Sequence, residues 1–405
     1  MRLLLVFSVV PYPPNDGGRI GFWNPIHYLS RQHEVHVACL ATENDRKHCE
    51  ALREHCAGLH VLYRALPARL LQSVQGIVGH PPGTAWKYWD PRFNAVVRRA
   101  IADHEIELVE FHHLNAAVYR DSAGTLPTVL REHNVEHVVW ERHARFAPLL
   151  QGTYARLVAP RIRRYEADVA PRFDRCVVVS PADADHLRRV SPTARIEMIP
   201  SGVDTEYFWP NSTVPEEPNK IVLTGNFAWP PKQHNLRIIL EEIMPRIRAR
   251  APEARLYVVG ADIPAHLQRL AARTSGVTLT GGVPDVRPYV WGASLVLNYL
   301  ESGGGIALKV LEGLAMRKAV LSNRLGCEGI EVSHDREVFL AEGPEAVAEA
   351  ASRLLNDEPL RKRLADAGHE LVTRKYAWAT VARQFETMYG ELKAERGSLA
   401  STLEV

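Results

Sequence analysis

The chain is expected to fold as two parallel, doubly wound α/β domains, and three observations predict this. Apolar runs of strand length alternate with helical stretches on both sides of Phe208–Asn219, a segment rich in Pro, Asn, Ser and Glu. The 405 residues suffice for two domains of ordinary size, each with its own core. Near residues 293–316 an apolar run, three consecutive glycines and a helical pattern follow one another. Such a loop lets backbone approach a ligand closely and offers a helix start to an anion.

Composition narrows the classes. With 46% hydrophobic and 24% charged residues the chain is globular, and a net charge of +2 argues against a dedicated nucleic-acid binder. Five scattered cysteines (Cys39, Cys49, Cys56, Cys176, Cys327) without a Cys-x-x-Cys pair fit a reducing compartment and no structural zinc site. The apolar start Met1–Phe7 runs into Pro11-Tyr12-Pro13-Pro14 with no small-residue cleavage site, so a first buried strand is expected rather than a signal peptide. No later run is long enough to span a membrane. A cytoplasmic protein is expected, with peripheral contact at the inner membrane face left open.

In the first half, strands are expected at Leu3–Val10, Glu34–Leu40, Leu59–Tyr63, Leu108–Phe111, Thr128–Glu132 and Arg175–Ser180, with a helix from about Phe22 to Gln32. Ligands of such sheets sit at the carboxyl ends of the strands, which singles out three loops. They are Pro13–Arg19 with Gly17 and Gly18, Glu110–Asn115 with His112 and His113, and Arg131–Asn134. Trp140–Arg172 is a helical stretch rich in arginine: a solvated face, or a contact for an anionic surface or a phosphorylated acceptor. His80–Phe93 crowds Trp86, Tyr88 and Trp89 into a Pro/Gly-rich segment, either core or a stacking surface.

In the second half, strands are expected at Lys220–Thr224, Arg255–Val259, Val277–Thr280, Ser294–Tyr299, Ala319–Leu321 and Glu337–Leu340. Helices are expected at Leu236–Arg250, at Ile263–Arg273 and from about Pro344 to Arg396. The central stretch is Gly303-Gly304-Gly305-Ile306-Ala307-Leu308-Lys309, where Leu308, Leu311 and Ala315 keep helical spacing. Lys309 and Glu312 stand three apart on the other helix face, roughly 4.5 Å along the axis. That order suits a nucleoside diphosphate, with phosphates at the glycines and Lys309 and the ribose diol at Glu312. The plainer alternative is a turn before an amphipathic helix carrying a solvated Lys–Glu pair.

Taken together, these motifs resemble the GT-B glycosyltransferases, and more narrowly the family-4 group of retaining, nucleotide-sugar-dependent enzymes. The resemblance is carried by Gly17-Gly18-Arg19, His112, Ile199-Pro200-Ser201-Gly202-Val203-Asp204-Thr205, Gly281-Gly282-Val283-Pro284-Asp285-Val286 and Gly303–Met316 with Lys318-Ala319-Val320. It implies two Rossmann-like domains facing a cleft: 1–205 for the acceptor, 206–375 for the nucleotide sugar, a helix at 376–396 packing back on the first domain, and a tail at 397–405. It also implies roles. Gly17 and Gly18 would lie near donor phosphates and acceptor; His112 would contact the donor sugar. Lys232 would bind pyrophosphate, beside Gly225 and Asn226; Val283 would recognise the base through its backbone. Gly303, Gly304, Gly305, Ile306 and Leu308 would frame the phosphates, and Glu312 would bind ribose.

Three positions depart from the family pattern. Gly304 replaces the first glutamate of its paired motif, Asn226 an arginine that grips phosphate, and Ser201 an asparagine. Lys309 is positioned to restore the charge that the missing arginine would bring. The implied reaction is transfer of a glycosyl group from a UDP- or GDP-sugar to an acceptor hydroxyl with retained configuration. No metal and no other cofactor is expected, because Lys232, Lys309 and backbone N–H groups would stabilise the leaving diphosphate. Two alternatives remain, a nucleotide-sugar epimerase on the same fold and a non-catalytic nucleotide-sugar-binding subunit of a partner transferase. The acceptor is either a small molecule or a lipid-linked saccharide.

Overall fold

The computed structural model describes residues 1–14, 17–79, 81–146, 149–301 and 305–403. The chain forms two compact units, one of Met1–Ser201 with the residues from Val381 on, the other of Gly202–Thr380.

Seven parallel strands make the sheet of the first unit: β1 (Arg2–Phe7), β2 (Glu34–Ala41), β3 (Gly58–Tyr63), β4 (Leu108–His112), β5 (Thr128–Glu132), β6 (Arg175–Val178) and β7 (Ile196–Met198). Their order is β3-β2-β1-β4-β5-β6-β7. Leu3, Leu4, Leu5 and Val6 have no exposed surface, as a central strand covered on both faces requires. The order reverses between β1 and β4, where Phe7 pairs with His112. A crevice for ligand is expected beside such a reversal, at the carboxyl ends.

Helix α1 (Gly17–Leu29) follows β1 and starts earlier than its apolar pattern suggests, so Gly17 and Gly18 form its exposed first turn. Asn15 and Asp16, before it, lie outside the described residues, as does His80. Beyond it come α2 (Arg69–Val78), α3 (Pro91–Asp103) and α4 (Leu149–Val169). The Trp86–Trp89 aromatics are divided. Tyr88 packs against the core, while Trp89 keeps 39% of its surface exposed.

In the second unit the strands are β8 (Lys220–Thr224), β9 (Arg255–Val259), β10 (Val277–Gly281), β11 (Leu295–Asn298), β12 (Val320–Ser322) and β13 (Phe339–Leu340). They pair in parallel in the order β10-β9-β8-β11-β12-β13, which reverses between β8 and β11. Helix α5 begins at Pro230 (Pro230–Ile238) and runs on through Ile239–Ile243 into Met244–Arg250, six residues ahead of the expected start. Pro230 and Pro231 caused the difference. They resemble a loop, but a first helical turn tolerates proline because its N–H groups have no intrahelical partner anyway. Helix α6 (Leu308–Ala315) packs on the sheet through Gly313, where an added Cβ would stand 3.2 Å from Val320.

The last helix, α7 (Trp378–Leu403), returns to the first unit. Its Tyr389 hydroxyl donates to the Glu110 carboxylate on β4, and the Arg131 guanidinium of β5 lies 4.3 Å above the ring of Phe385.

Candidate functional site

The second unit gathers most of the residues singled out by sequence. After β8 the chain turns at Gly225, whose N–H donates to the Val259 carbonyl at 3.0 Å. An added Cβ at Gly225 would lie 3.5 Å from Nζ of Lys309, so the bare backbone and the ammonium group are neighbours. Lys309 and Glu312 are half-buried on α6, and Lys232 stands in the first turn of α5. Electrostatics ties the three together. Burial and then the Lys232 charge bring Lys309 down to about 8, with Glu312 opposing. Burial pushes Glu312 up to about 7 against the pull of Lys309 and Lys232. A solvated surface pair would show neither shift.

This geometry has chemical consequences. Lys309 remains mostly protonated at neutral pH, and with Lys232 it offers two positive charges at the end of β8 for an anion to neutralise. Glu312 is poised between its two forms and can both accept from and donate to a diol. Gly305 has φ +74°, a left-handed conformation that favours glycine, just before the chain enters α6. Gly303 and Gly304 lie outside the described residues. Val283, Ile306 and Leu308 all pack against the cluster that contains Val310 and Leu311, so the three predicted positions share one apolar wall. Next to it Arg287 grips Asp285 and lies 3.8 Å over the ring of Tyr207, whose hydroxyl is raised by burial, Asp285 and, more weakly, Glu312.

Asn226 is occupied by its own loop. Its amide nitrogen donates to Asp262 at 3.0 Å and its oxygen accepts from the Ala228 N–H at 2.9 Å. The residue at the position of the expected arginine therefore shapes the turn.

One carboxylate here escaped the sequence reading. Glu301, just past β11, accepts from Tyr299 at 2.9 Å, lies 3.6 Å from His234, and its N–H donates to the Asn235 side chain. Its signal was its position, just after the strand bordering the sheet's reversal and two residues before the glycines.

In the first unit the candidates behave differently. His112 has no exposed surface. It stacks on Phe7 with ring centres 4.2 Å apart, meets Glu110 at 3.1 Å and faces His133 at 3.3 Å. The expected contact with a donor sugar finds no accessible His112 atom in this arrangement, because the ring belongs to a buried polar cluster. Burial lowers His112, while Glu110, which burial alone would raise, is held low by His112, Arg131 and Tyr389. His113 is the accessible member of the pair, with φ +73° and an ion pair to Glu136 at 3.3 Å. Gly17 and Gly18 are exposed at the start of α1.

Comparison with known proteins follows the same division. A family model described as "Glycosyltransferase Family 4" matches residues 17–207, and one described as "Glycosyl transferases group 1" matches residues 218–357. The GDP-mannose-dependent alpha-(1-6)-phosphatidylinositol monomannoside mannosyltransferase of Mycobacterium tuberculosis is 27% identical over 318 residues, 72% of this chain and 78% of the relative. Among solved structures, sucrose-phosphate synthase from Thermosynechococcus elongatus matches with TM-score 0.73 and 17% identity, over 98% of this chain and 100% of the other. Anabaena HepE in complex with UDP and glucose matches with TM-score 0.71 and 14% identity, over 96% and 100%. The fold is therefore that of the GT-B structures, two parallel-sheet Rossmann-like domains.

Proposed function

Because the chain belongs to the family-4, group 1 glycosyltransferases, we propose that it transfers a hexosyl group from a nucleoside diphosphate sugar to an acceptor hydroxyl, with retained configuration and without a metal. The observation that carries this reading is the cluster of Lys232, Lys309 and Glu312 at the reversal point of the second sheet. Lys232 and Lys309 hold the diphosphate and neutralise the charge that grows on it as the glycosidic bond breaks. Glu312 binds the ribose hydroxyls, and the loop at Val283 borders the base. The acceptor oxygen attacks on the face the diphosphate leaves, and its proton passes to the departing phosphate oxygen. Glu301 takes the place of the missing first glutamate, as a carboxylate for the donor sugar's hydroxyls.

A UDP- or GDP-sugar is the proposed donor, and the Mycobacterium tuberculosis relative, named for GDP-mannose and a phosphatidylinositol monomannoside, supports a lipid-linked acceptor. Exposed apolar side chains support it too: Leu71, Val74 and Val78 on α2, and Leu149, Leu150 and Leu157 on α4. Arg156, Arg163 and Arg164 are exposed on α4 among them. Apolar and cationic groups together suit an anionic bilayer surface. Among the described residues no helix is long and apolar enough to cross a membrane, so the proposed contact is peripheral.

The stereochemical part is tested by proton NMR of the product formed in the presence of EDTA. The expected product has the donor's anomeric configuration, and an inverted product or a strict metal requirement would refute the mechanism.

A further inference from the structure

Away from the nucleotide site, the first unit carries a cluster of three histidines. His36 and His60 are each the third residue of neighbouring strands β2 and β3, and His104 directly follows α3. One ring nitrogen from each lies within 4.8 Å of the others. Nδ1 of His36 and Nε2 of His60 are 3.4 Å apart. That is close to the edge of a tetrahedral site whose metal–nitrogen bonds are about 2.1 Å long.

Two further features point to a ligand. Nε2 of His36 meets the Glu34 carboxylate at 3.1 Å. This is the arrangement in which a carboxylate takes the ring N–H and leaves the other nitrogen's lone pair free for a metal. Gly58, the register partner of His36, supplies the space. A Cβ there would stand 2.5 Å from Nδ1 of His36 and 3.3 Å from Nε2 of His60, the gap into which both nitrogens point.

We propose that His36, His60 and His104 bind one divalent ion of the zinc class, with Glu34 orienting His36 and a water in the fourth position. Imidazole ligands select borderline ions such as zinc over magnesium or calcium. The cluster lies at the amino ends of its strands, whereas ligands of such sheets gather at the carboxyl ends. The ion therefore pins the edge strand β3 to β2 and α3 and takes no part in glycosyl transfer. The cysteine-based expectation of no structural zinc site does not bear on this cluster, whose ligands would all be histidines from separate elements.

The test uses the untagged full chain, stripped with EDTA and titrated with zinc by calorimetry, with zinc X-ray absorption on the loaded protein. One equivalent is expected to bind with micromolar affinity or better, ligated by three imidazoles, and to raise Tm. Glu34→Gln should weaken binding about 10–100-fold. His60→Gln and Gly58→Ala should each weaken it at least as much, while nucleoside diphosphate binding in the other unit stays unchanged. Absence of stoichiometric zinc binding, an absorption spectrum with two imidazoles or fewer, or parental affinity in both His60→Gln and Gly58→Ala would overturn the proposal. Should one variant fail to fold, the wild-type spectrum and the other variant still decide.

Discussion

Lys309 and Glu312 are held in mutual tension, and their shifts give opposite linkage to pH. Glu312, raised to about 7, binds a proton in the folded chain that the unfolded chain has released. Its contribution to stability is present below the ordinary carboxyl range and lost as pH rises through about 7. Lys309, lowered to about 8, makes stability rise with pH from there toward its ordinary value. Glu312→Gln removes a charge that partial burial disfavours, so at pH values above about 7 it should raise Tm while weakening nucleotide binding at least tenfold. Thermal denaturation beside calorimetry checks both halves, and a fall in Tm would contradict the burial argument. Diphosphate affinity should also decline as pH passes about 8 and Lys309 loses its proton, a decline absent in Lys309→Met. Much of this was legible in the sequence, because the three-residue spacing puts both groups on one helix face. The depth of their burial was not, since it depends on Gly225 and on packing across the sheet. His112 is the converse case. Glu110 two residues earlier shares its strand face, but Tyr389 and Phe385, which close over Glu110 and Arg131, come from far along the chain.

Local elements decide which of these residues meet. Starting α5 at Pro230 puts Lys232 in a first turn, where a helix end favours an anion, rather than on a loop. The π-type segment Ile239–Ile243 lets the helix continue to Arg250. The strands were legible because parallel, doubly covered strands are continuous apolar runs. Helix starts were less so, because glycine and proline there resemble loops. The turn after β11 carries a testable residue. Tyr299 holds Glu301 through its hydroxyl and Asn235 holds its N–H, so a change at the carboxylate should leave the fold intact. Glu301→Gln is expected to lower kcat about tenfold or more, the effect of one lost charge-assisted hydrogen bond to the sugar, with diphosphate affinity unchanged. Unaltered kcat on the identified donor would remove Glu301 from the proposed site.

At the scale of the whole molecule the chain divides its tasks. The unit Gly202–Thr380 carries the lysine and glutamate cluster, and the unit containing Met1–Ser201 carries the exposed leucines and arginines of α2 and α4. The arginine-rich run left two readings open in the sequence. Its exposed Leu149 and Leu150, 80% and 85% accessible, favour the surface-binding one. Replacing both with serine should reduce co-sedimentation with anionic phosphatidylglycerol vesicles several-fold, short of abolishing it because the arginine contribution remains, and leave diphosphate binding by the other unit intact. Equal sedimentation of variant and parent would separate these leucines from any membrane role. The most direct measurement of the central claim is calorimetry of UDP and GDP binding in EDTA, on the parent chain and on Lys309→Met. The account predicts that one of the two binds without metal at micromolar concentration and that Lys309→Met weakens it at least tenfold. No binding by either nucleotide, or equal binding by both proteins, would contradict it.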